Sequence, residues 1–590
     1  MRSSRAPGSG RRPTRGGRRD EAPSLPLPEV PAWKDLLPLL ALPVALALLN
    51  SDWLWGAPIR DPWIYYGYFK RLPLYLSTYL GSYFSSRLSV LIPGWIVHRA
   101  LSPLLGHLVL HFAFVWGALG AFYVATRGLL GRRSALFSSV VLAAHPFFLI
   151  ALGDNYVDGF GIAYTLLALA VLTRAARSAS PAWLLATAGG VGVLIVSANL
   201  FYVVFLPFLG AHYLVLRGRT PSRKLLQAAG WLVLGAGAVL AALCLTSKAI
   251  GGRPLFFLSS TSFAGTLLRL RHSNPVVSTV GNWLPRAVWL VFPGLVLAGV
   301  PLALRRFRGD WTREFAWSQA AGVGFALVML AVQASPVAWV LEWWYYASLL
   351  IPFTFISFAG QLKVWIDELS EETFWKLVLS TAAALTVAHA IRLSPEALSA
   401  IPVAPAVLCL VTGLGIPLVL LVSPVRRRPL PLLVASLAVA MLLARNFTTF
   451  DRMWDPLGSD RRGLFLQVAL AESTARRYDS GVGIYYWWNQ EEPLNILYDT
   501  VAATALSGIR IVNLGFPDTG DGHTAEGAPL APGMKIAILS RLPAATAAGM
   551  AALERAGFET APLGQELIPG PGSTFRMDIL EIRLRRQANP

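Results

Sequence analysis

From Leu36 to about Ala444 the chain is a succession of apolar runs of membrane-crossing length, parted by short loops that are charged or rich in Pro and Gly. A helix needs roughly 20 apolar residues to cross the hydrocarbon, because no water is present there to satisfy a stray backbone group. Hydrophobic residues make up 55% of the chain and charged residues 14%, where soluble domains carry about a quarter charged. The pattern predicts an α-helical polytopic membrane protein of about 13 transmembrane helices. Cys244 and Cys409 both lie inside apolar runs, which argues against a disulfide framework.

The formal charge is +19, which raises nucleic acid as a partner, but the distribution of the cations excludes it. Seven arginines from Arg2 to Arg19 lie in a Gly/Pro/Ser-rich tail, and most other basic clusters lie in short loops between spans. Counted by alternation, the Arg/Lys-rich loops at 127–133, 174–180, 217–224, 305–314 and 424–429 share the side of the N-terminus. That bias predicts a cytoplasmic N-terminus, an extracytoplasmic C-terminus and a multi-pass place in the plasma (inner) membrane. Residues 1–32 read as a disordered basic tail and 33–445 as the membrane domain. Residues 446–590 turn polar and alternate strand-like runs (GVGIYYWW, GIRIVNL, MKIAILS, FRMDILEIRL) with helical ones, predicting a small α/β extracytoplasmic domain.

The individual spans are less regular than their number. Span one, about 36–49, contains Pro38 and Pro43; 87–100 is broken by Pro93 and Gly94, and reads as a re-entrant piece or the start of span two. Span three is expected over about 134–152 and span four over about 160–172. Spans five to seven follow over about 183–197, 200–216 and up to 245.

Two acidic loops follow the first and third spans, and alternation puts them on one side of the bilayer. The first, IRDPWIYYGYF, sets Asp61 before Pro62 and an aromatic cluster that includes Tyr65 and Tyr66. A carboxylate held there can take a proton from a hydroxyl or coordinate a divalent cation; it equally suits a helix start or a salt bridge to Arg60. The second loop, GDNYVDG, sets Asp154 and Asp158 four apart, on one face if the turn is helical, with capping of span four as the plain alternative. The basic loop 246–286 supplies Lys248, Arg269 and Arg271, suited to a phosphate or to snorkelling toward lipid. Glu342 precedes an aromatic cluster that reads as an interfacial anchor, with the carboxylate itself solvated, and WWNQEEP reads as a buried strand. There is no Walker motif, HExxH or GxSxG in a fitting context, so any chemistry must draw on an activated substrate.

Together these features resemble the GT-C superfamily of polytopic glycosyltransferases, which take sugars from polyprenyl-phosphate carriers. RDPWIYYGYF is similar to the DPWFNYR stretch of oligosaccharyltransferase catalytic subunits, and GDNYVDGFGIA to their SYDNEGIAIF. Their WWDYG motif is absent, with WWNQE at Trp487 to Glu491 standing nearest, and Glu342 is a loose counterpart of their fifth-loop glutamate. The chain looks equally like the lipid-phosphate-sugar branch, typified by protein O-mannosyltransferases and the aminoarabinose transferase of lipid A, in which the first-loop acid is the proposed base and no metal is obligatory.

The resemblance implies an inverting transfer from a polyprenyl-phosphate-linked sugar donor to a lipid, glycan or protein acceptor at the outer face. Asp61 would deprotonate the acceptor, Asp154 and Asp158 would position acceptor or cation, and Lys248, Arg269 or Arg271 would steady the leaving phosphate. Tyr65 and Tyr66 are further substrate-binding candidates. A divalent cation (Mg or Mn) on Asp61 and Asp154 is implied only if the chain follows the oligosaccharyltransferase branch, which moves a whole glycan. A rival of another class, a transporter or lipid-binding scaffold, predicts mid-span charges and internal repeats; the sequence has few of the first and no convincing case of the second.

Overall fold

The computed structural model describes residues 33–54, 61–78, 82–262, 312–334, 344–393, 429–448, 461–478, 483–486, 535–540, 557–570 and 574–584, with a few single positions between them. The basic tail 1–32, Arg269, Arg271, Glu342, Cys409 and the WWNQE stretch lie outside the described residues.

The first helices follow the apolar runs. They are α1 (Trp33–Leu49), α2 (Asp61–Thr78), α3 (Leu88–Ala100) and α4 (Pro103–Leu130). A short 3-10 turn, Ser51–Leu54, follows α1. The piece around Pro93 is thus a separate helix, α3, and not the start of the long α4. Next come α5 (Arg132–Ala143), α6 (Pro146–Gly153), α7 (Val157–Arg177), α8 (Ala182–Ala198), α9 (Phe205–Arg217) and α10 (Ser222–Ala249). After them stand α11 (Arg313–Ala334), α12 (Ile351–Ile366), α13 (Glu371–Ala390), α14 (Pro429–Thr448) and α15 (Arg461–Tyr478). Among the described residues, five helices are long and apolar enough to cross a membrane, or six with the bent pair α5–α6 taken as one. Much of the remainder of the thirteen expected spans falls on residues outside this set or on shorter apolar helices such as α8.

Expected span three is not one rod, because α5 and α6 meet at 65°. Pro146 has no N–H to continue the helix, so the chain restarts there, and the His145 side chain caps the restart by accepting from the Phe148 amide at 3.3 Å. The Ala144 carbonyl, freed by the break, accepts from His389 Nε2 of α13 at 2.6 Å. The Phe148 amide and the Ala144 carbonyl, both loosened by the break, thus find side-chain partners.

The helices pack by close backbone approach as well as by side chains. On α8, a Cβ at Gly189 would fall 1.9 Å from the Leu232 carbonyl oxygen of α10, and one at Gly235 1.8 Å from that of Ala186. Small residues that let two helices touch are the usual glue where lipid offers no hydrophobic drive. Helix α7 is buried along almost its whole length and forms the middle of the bundle, whereas most of α10 faces outward.

Two polar clusters mark opposite ends of α1, and 17 residues separate its ends by about 25 Å. At one end, Asp35 is 0% exposed and takes three hydrogen bonds from Arg132, of 2.7, 2.8 and 3.1 Å, and one from the Tyr123 hydroxyl at 2.6 Å. Arg132 also reaches Glu371 at 2.7 Å, tying α1, α4, α5 and α13 together. At the other end, Asp52 pairs with Arg392 at 3.3 Å and Arg445 at 3.8 Å, and Asn50 donates to the His389 carbonyl at 3.2 Å.

The C-terminal unit holds strands β1 (Gly483–Tyr486), β2 (Lys535–Ser540), β3 (Phe558–Ile568) and β4 (Phe575–Leu584). Their order is β1-β2-β4-β3, with β1 and β2 parallel and the other pairs antiparallel. The expected alternation of strand and helix thus gives way, after Gly557 at φ +87, to an antiparallel pair. The sequence reading missed β3 because Pro562 and several polar residues interrupt its apolar pattern. An edge strand tolerates both, and the register shifts between Pro562 and Gly564.

Candidate functional site

The two acidic loops do meet. The end of α6 lies directly on the 3-10 turn of the first loop, where a Cβ at Gly153 would stand 2.1 Å from the Trp53 carbonyl oxygen. One turn into α2, the Tyr65 ring packs edge-on to Tyr156 of the second loop, centroids 6.0 Å apart. The Tyr156 hydroxyl in turn lies 3.4 Å from that of Tyr346, from the segment before α12. The loop after α10 reaches the same neighbourhood, with the hydroxyls of Ser86 and Ser260 in hydrogen-bond contact.

Asp154 and Asp158 do not share a helical face as the spacing suggested. Asp154 caps the C-terminus of α6 in an extended conformation, the chain turns through Asn155 and Tyr156, and Asp158 lies in the first turn of α7. Both are buried, at 4% and 1% exposure. Helix α7 has its N-cap at Tyr156, with no side-chain cap bond, so capping is not what Asp158 does. Its Oδ1 accepts a hydrogen bond from the Tyr202 hydroxyl, and its Oδ2 has no hydrogen-bond partner among the described residues. Tyr202 reaches Asp158 over Gly161, where a Cβ would overlap the tyrosine ring at 1.6 Å. The glycines of GDNYVDGFG are therefore clearance: Gly153 for Trp53, Gly159 for the Ala151 carbonyl of α6 and Gly161 for Tyr202.

Asp61 is the first residue of α2, a helix start of the Asp-Pro kind, and its side chain lies outside what the structure describes. Lys248 sits exposed in the last turn of α10 and makes no hydrogen bond or ion pair among the described residues. Tyr66 faces a different pocket from Tyr65: its ring packs on His98 at 5.3 Å and on Phe465 of α15 at 5.4 Å, with Lys70 over its face.

The sequence reading passed over Arg87, which stands just before α3 and is 7% exposed. Its guanidinium donates to the Tyr65 hydroxyl and lies over the rings of Tyr65 and Tyr83, at 5.4 and 4.7 Å. No carboxylate pairs with it at ion-pair distance among the described residues, although it is near enough to Asp158 to act on its charge. A buried cation normally requires a counter-charge, since stripping its water costs several kcal/mol; cation–π contacts return only about 0.5–2 kcal/mol. Among the described residues, this region thus holds a buried carboxylate with one oxygen lacking a hydrogen-bond partner and a buried guanidinium with no carboxylate at ion-pair distance. The signal available in sequence was a lone arginine at the end of the first acidic loop, apart from the Arg/Lys-rich clusters.

Two histidines complete the surroundings. His107 and His111, one turn apart on α4 and both buried, have ring centroids 4.3 Å apart. His107 Nε2 donates to the Leu54 carbonyl, and His111 Nδ1 donates to the Leu152 carbonyl at 2.6 Å. His111 Nε2 lies 2.9 Å from the Asn155 Oδ1 position, where a turned amide would present its NH2 to the ring. Among the described residues, no three His, Cys, Asp or Glu side chains come together to hold a metal ion, and no step below is routed through one.

No family model and no curated protein matches the chain. Among solved structures, an oligosaccharyltransferase of Archaeoglobus fulgidus, tethered by a disulfide to an acceptor peptide with an NVT sequon, aligns at a TM-score of 0.39 and 14% identity. The alignment covers 92% of this chain and 74% of that one. The same enzyme in complex with Zn and sulfate aligns at a TM-score of 0.33 and 16% identity, over 64% of this chain and 53% of that one. At these scores the chemistry of the site stands on this chain's own residues.

Proposed function

We propose that the chain is an inverting membrane glycosyltransferase that moves a sugar from a polyprenyl-phosphate donor to an acceptor hydroxyl at the outer face of the membrane. The observation that supports it most is that Asp158, with one oxygen lacking a hydrogen-bond partner among the described residues, lies within electrostatic reach of Arg87, a buried cation with no carboxylate at ion-pair distance among those residues. Glycosyl transfer from a phosphate carrier needs both signs of charge. The acceptor oxygen attacks the anomeric carbon, the bond from that carbon to the phosphate oxygen breaks, and the phosphate leaves with the electron pair. The acceptor's proton passes to a carboxylate.

In this reading Asp61, at the head of α2, takes the proton, and Asp154 and Asp158 hold the acceptor. Arg87 takes the place that Lys248, Arg269 and Arg271 held in the sequence reading, offering its planar fork to the leaving phosphate. Tyr65 and Tyr83 hold that fork in place. Residues 33–445 carry the chemistry and 446–590 form the outer unit beside it.

The test is incubation of the purified protein in lipid nanodiscs with a panel of radiolabelled polyprenyl-phosphate sugars and cell-envelope fractions, with and without EDTA. Label should pass from the lipid-extractable to the acceptor fraction. Asp61→Asn and Asp158→Asn should each slow transfer by about 10²–10⁴-fold, the usual contribution of a positioned acid or base. Wild-type protein that transfers from no donor in the panel would overturn the reading; transfer abolished by EDTA would move it to the metal-dependent, whole-glycan branch.

A further inference from the structure

The proposed transfer depends on carboxylates from two separate loops standing at a fixed separation. Loops do not hold such a separation by themselves, because their backbone groups can turn to alternative partners. In this chain both loops are fastened to one rigid element. The Leu54 carbonyl ends the 3-10 turn of the first loop, seven residues before Asp61, and receives the Nε2–H of His107. The Leu152 carbonyl and the Asn155 side chain flank Asp154 and meet the two nitrogens of His111. His107 and His111 are successive turns of α4, which continues to Leu130 without a break, so the two attachment points cannot drift apart.

The chemistry of the contacts is specific. A carbonyl oxygen only accepts, so His107 donates from Nε2 and His111 from Nδ1; a neutral His111 then accepts at Nε2, which requires the Asn155 amide to turn its NH2 toward the ring. Opposite tautomers on adjacent turns let two imidazoles of the same helix reach carbonyls on two different loops. Nothing in bulk packing requires this, since two phenylalanines would fill the same space. A buried carbonyl left without its donor seeks a new partner, and the loop that bears it moves.

We propose that His107 and His111 are positioning residues that set the separation of the first-loop and second-loop aspartates for transfer. The proposal rests on the transferase reading for its consequence and on the contacts themselves for its geometry.

The test compares His107→Phe and His111→Phe, which keep ring volume and remove the donor, with His107→Gln and His111→Asn, whose amides place an N–H near the original Nε2 and Nδ1. Two readouts are taken in nanodiscs: steady-state transfer from polyprenyl-phosphate mannose, or from the panel member that is turned over, and hydrogen exchange of the loop amides. His111→Phe should speed exchange at 152–157 by about tenfold and leave 51–54 unchanged, and His107→Phe should do the reverse. Each Phe variant should lower kcat by about 10–100-fold, the scale of a misplacement near 1 Å, with the donor KM within twofold. The Gln and Asn variants should recover most of the loss. Unchanged exchange, or losses that the amide variants fail to rescue and that track a lowered melting temperature, would overturn the proposal. If wild-type protein moves no donor, the transferase reading falls, and the loop-specific exchange pattern still decides whether the histidines hold the two loops.

Discussion

The Tyr202 hydroxyl donates to the Asp158 carboxylate across the gap between α7 and the turn that precedes α9. One oxygen of the carboxylate is thereby fixed, and the other is buried with no hydrogen-bond partner among the described residues. Tyr202→Phe removes a hydrogen bond to a charged group, worth about 1.5–3 kcal/mol. Transfer should fall by about 10–100-fold in kcat with little change in donor KM, measured by steady-state kinetics. Unaltered turnover would show that the second oxygen needs no such support.

Arg87 carries the opposite charge, and its variants should separate charge from geometry. Arg87→Gln removes the cation; affinity for polyprenyl phosphate, measured by competition with the labelled donor, should drop by about 10–100-fold, the value of a charged hydrogen bond. Arg87→Lys retains the charge and loses the fork and its stacking on Tyr65 and Tyr83, so it should recover only part of that affinity.

At the other end of the bundle, Asp35 depends on Arg132. Arg132→Ala leaves a fully buried carboxylate with the Tyr123 hydroxyl as its remaining described hydrogen-bond donor, at a cost of about 3–5 kcal/mol. The melting temperature in detergent should fall clearly. Asp35→Asn in the Arg132→Ala background should regain part of the loss, because the uncompensated charge is then gone.

Phe465 joins α15 to α2 and α4. From α15 its ring packs on Tyr66 at 5.4 Å and on His107 at 4.8 Å, and it is 2% exposed. Phe465→Ala should weaken that docking by about 3–5 kcal/mol. Limited proteolysis should then release the C-terminal unit faster, while the melting of the membrane domain stays close to wild type.

The sequence by itself determined the helical membrane character, the two acidic loops and the turn between α6 and α7. These features are written in local pattern: long apolar runs, and Gly and Pro where a helix must stop or a neighbour must come close. It also marked Asp61, Asp154 and Asp158 as residues of interest. It misjudged how the second pair is held, since four-residue spacing implies a shared face only if the helix is continuous, and here the chain turns at Asn155 and Tyr156.

Tertiary structure alone decided the partners. Tyr202 lies 44 residues from Asp158, and the two histidines of α4 lie 53 and 41 residues from Leu54 and Leu152. Arg87 became notable only once its surroundings proved to be two tyrosines and no carboxylate at ion-pair distance among the described residues. Apolar periodicity reports which face of a helix is buried. It carries no record of which polar group on another helix stands opposite, because that contact is set by how whole helices pack.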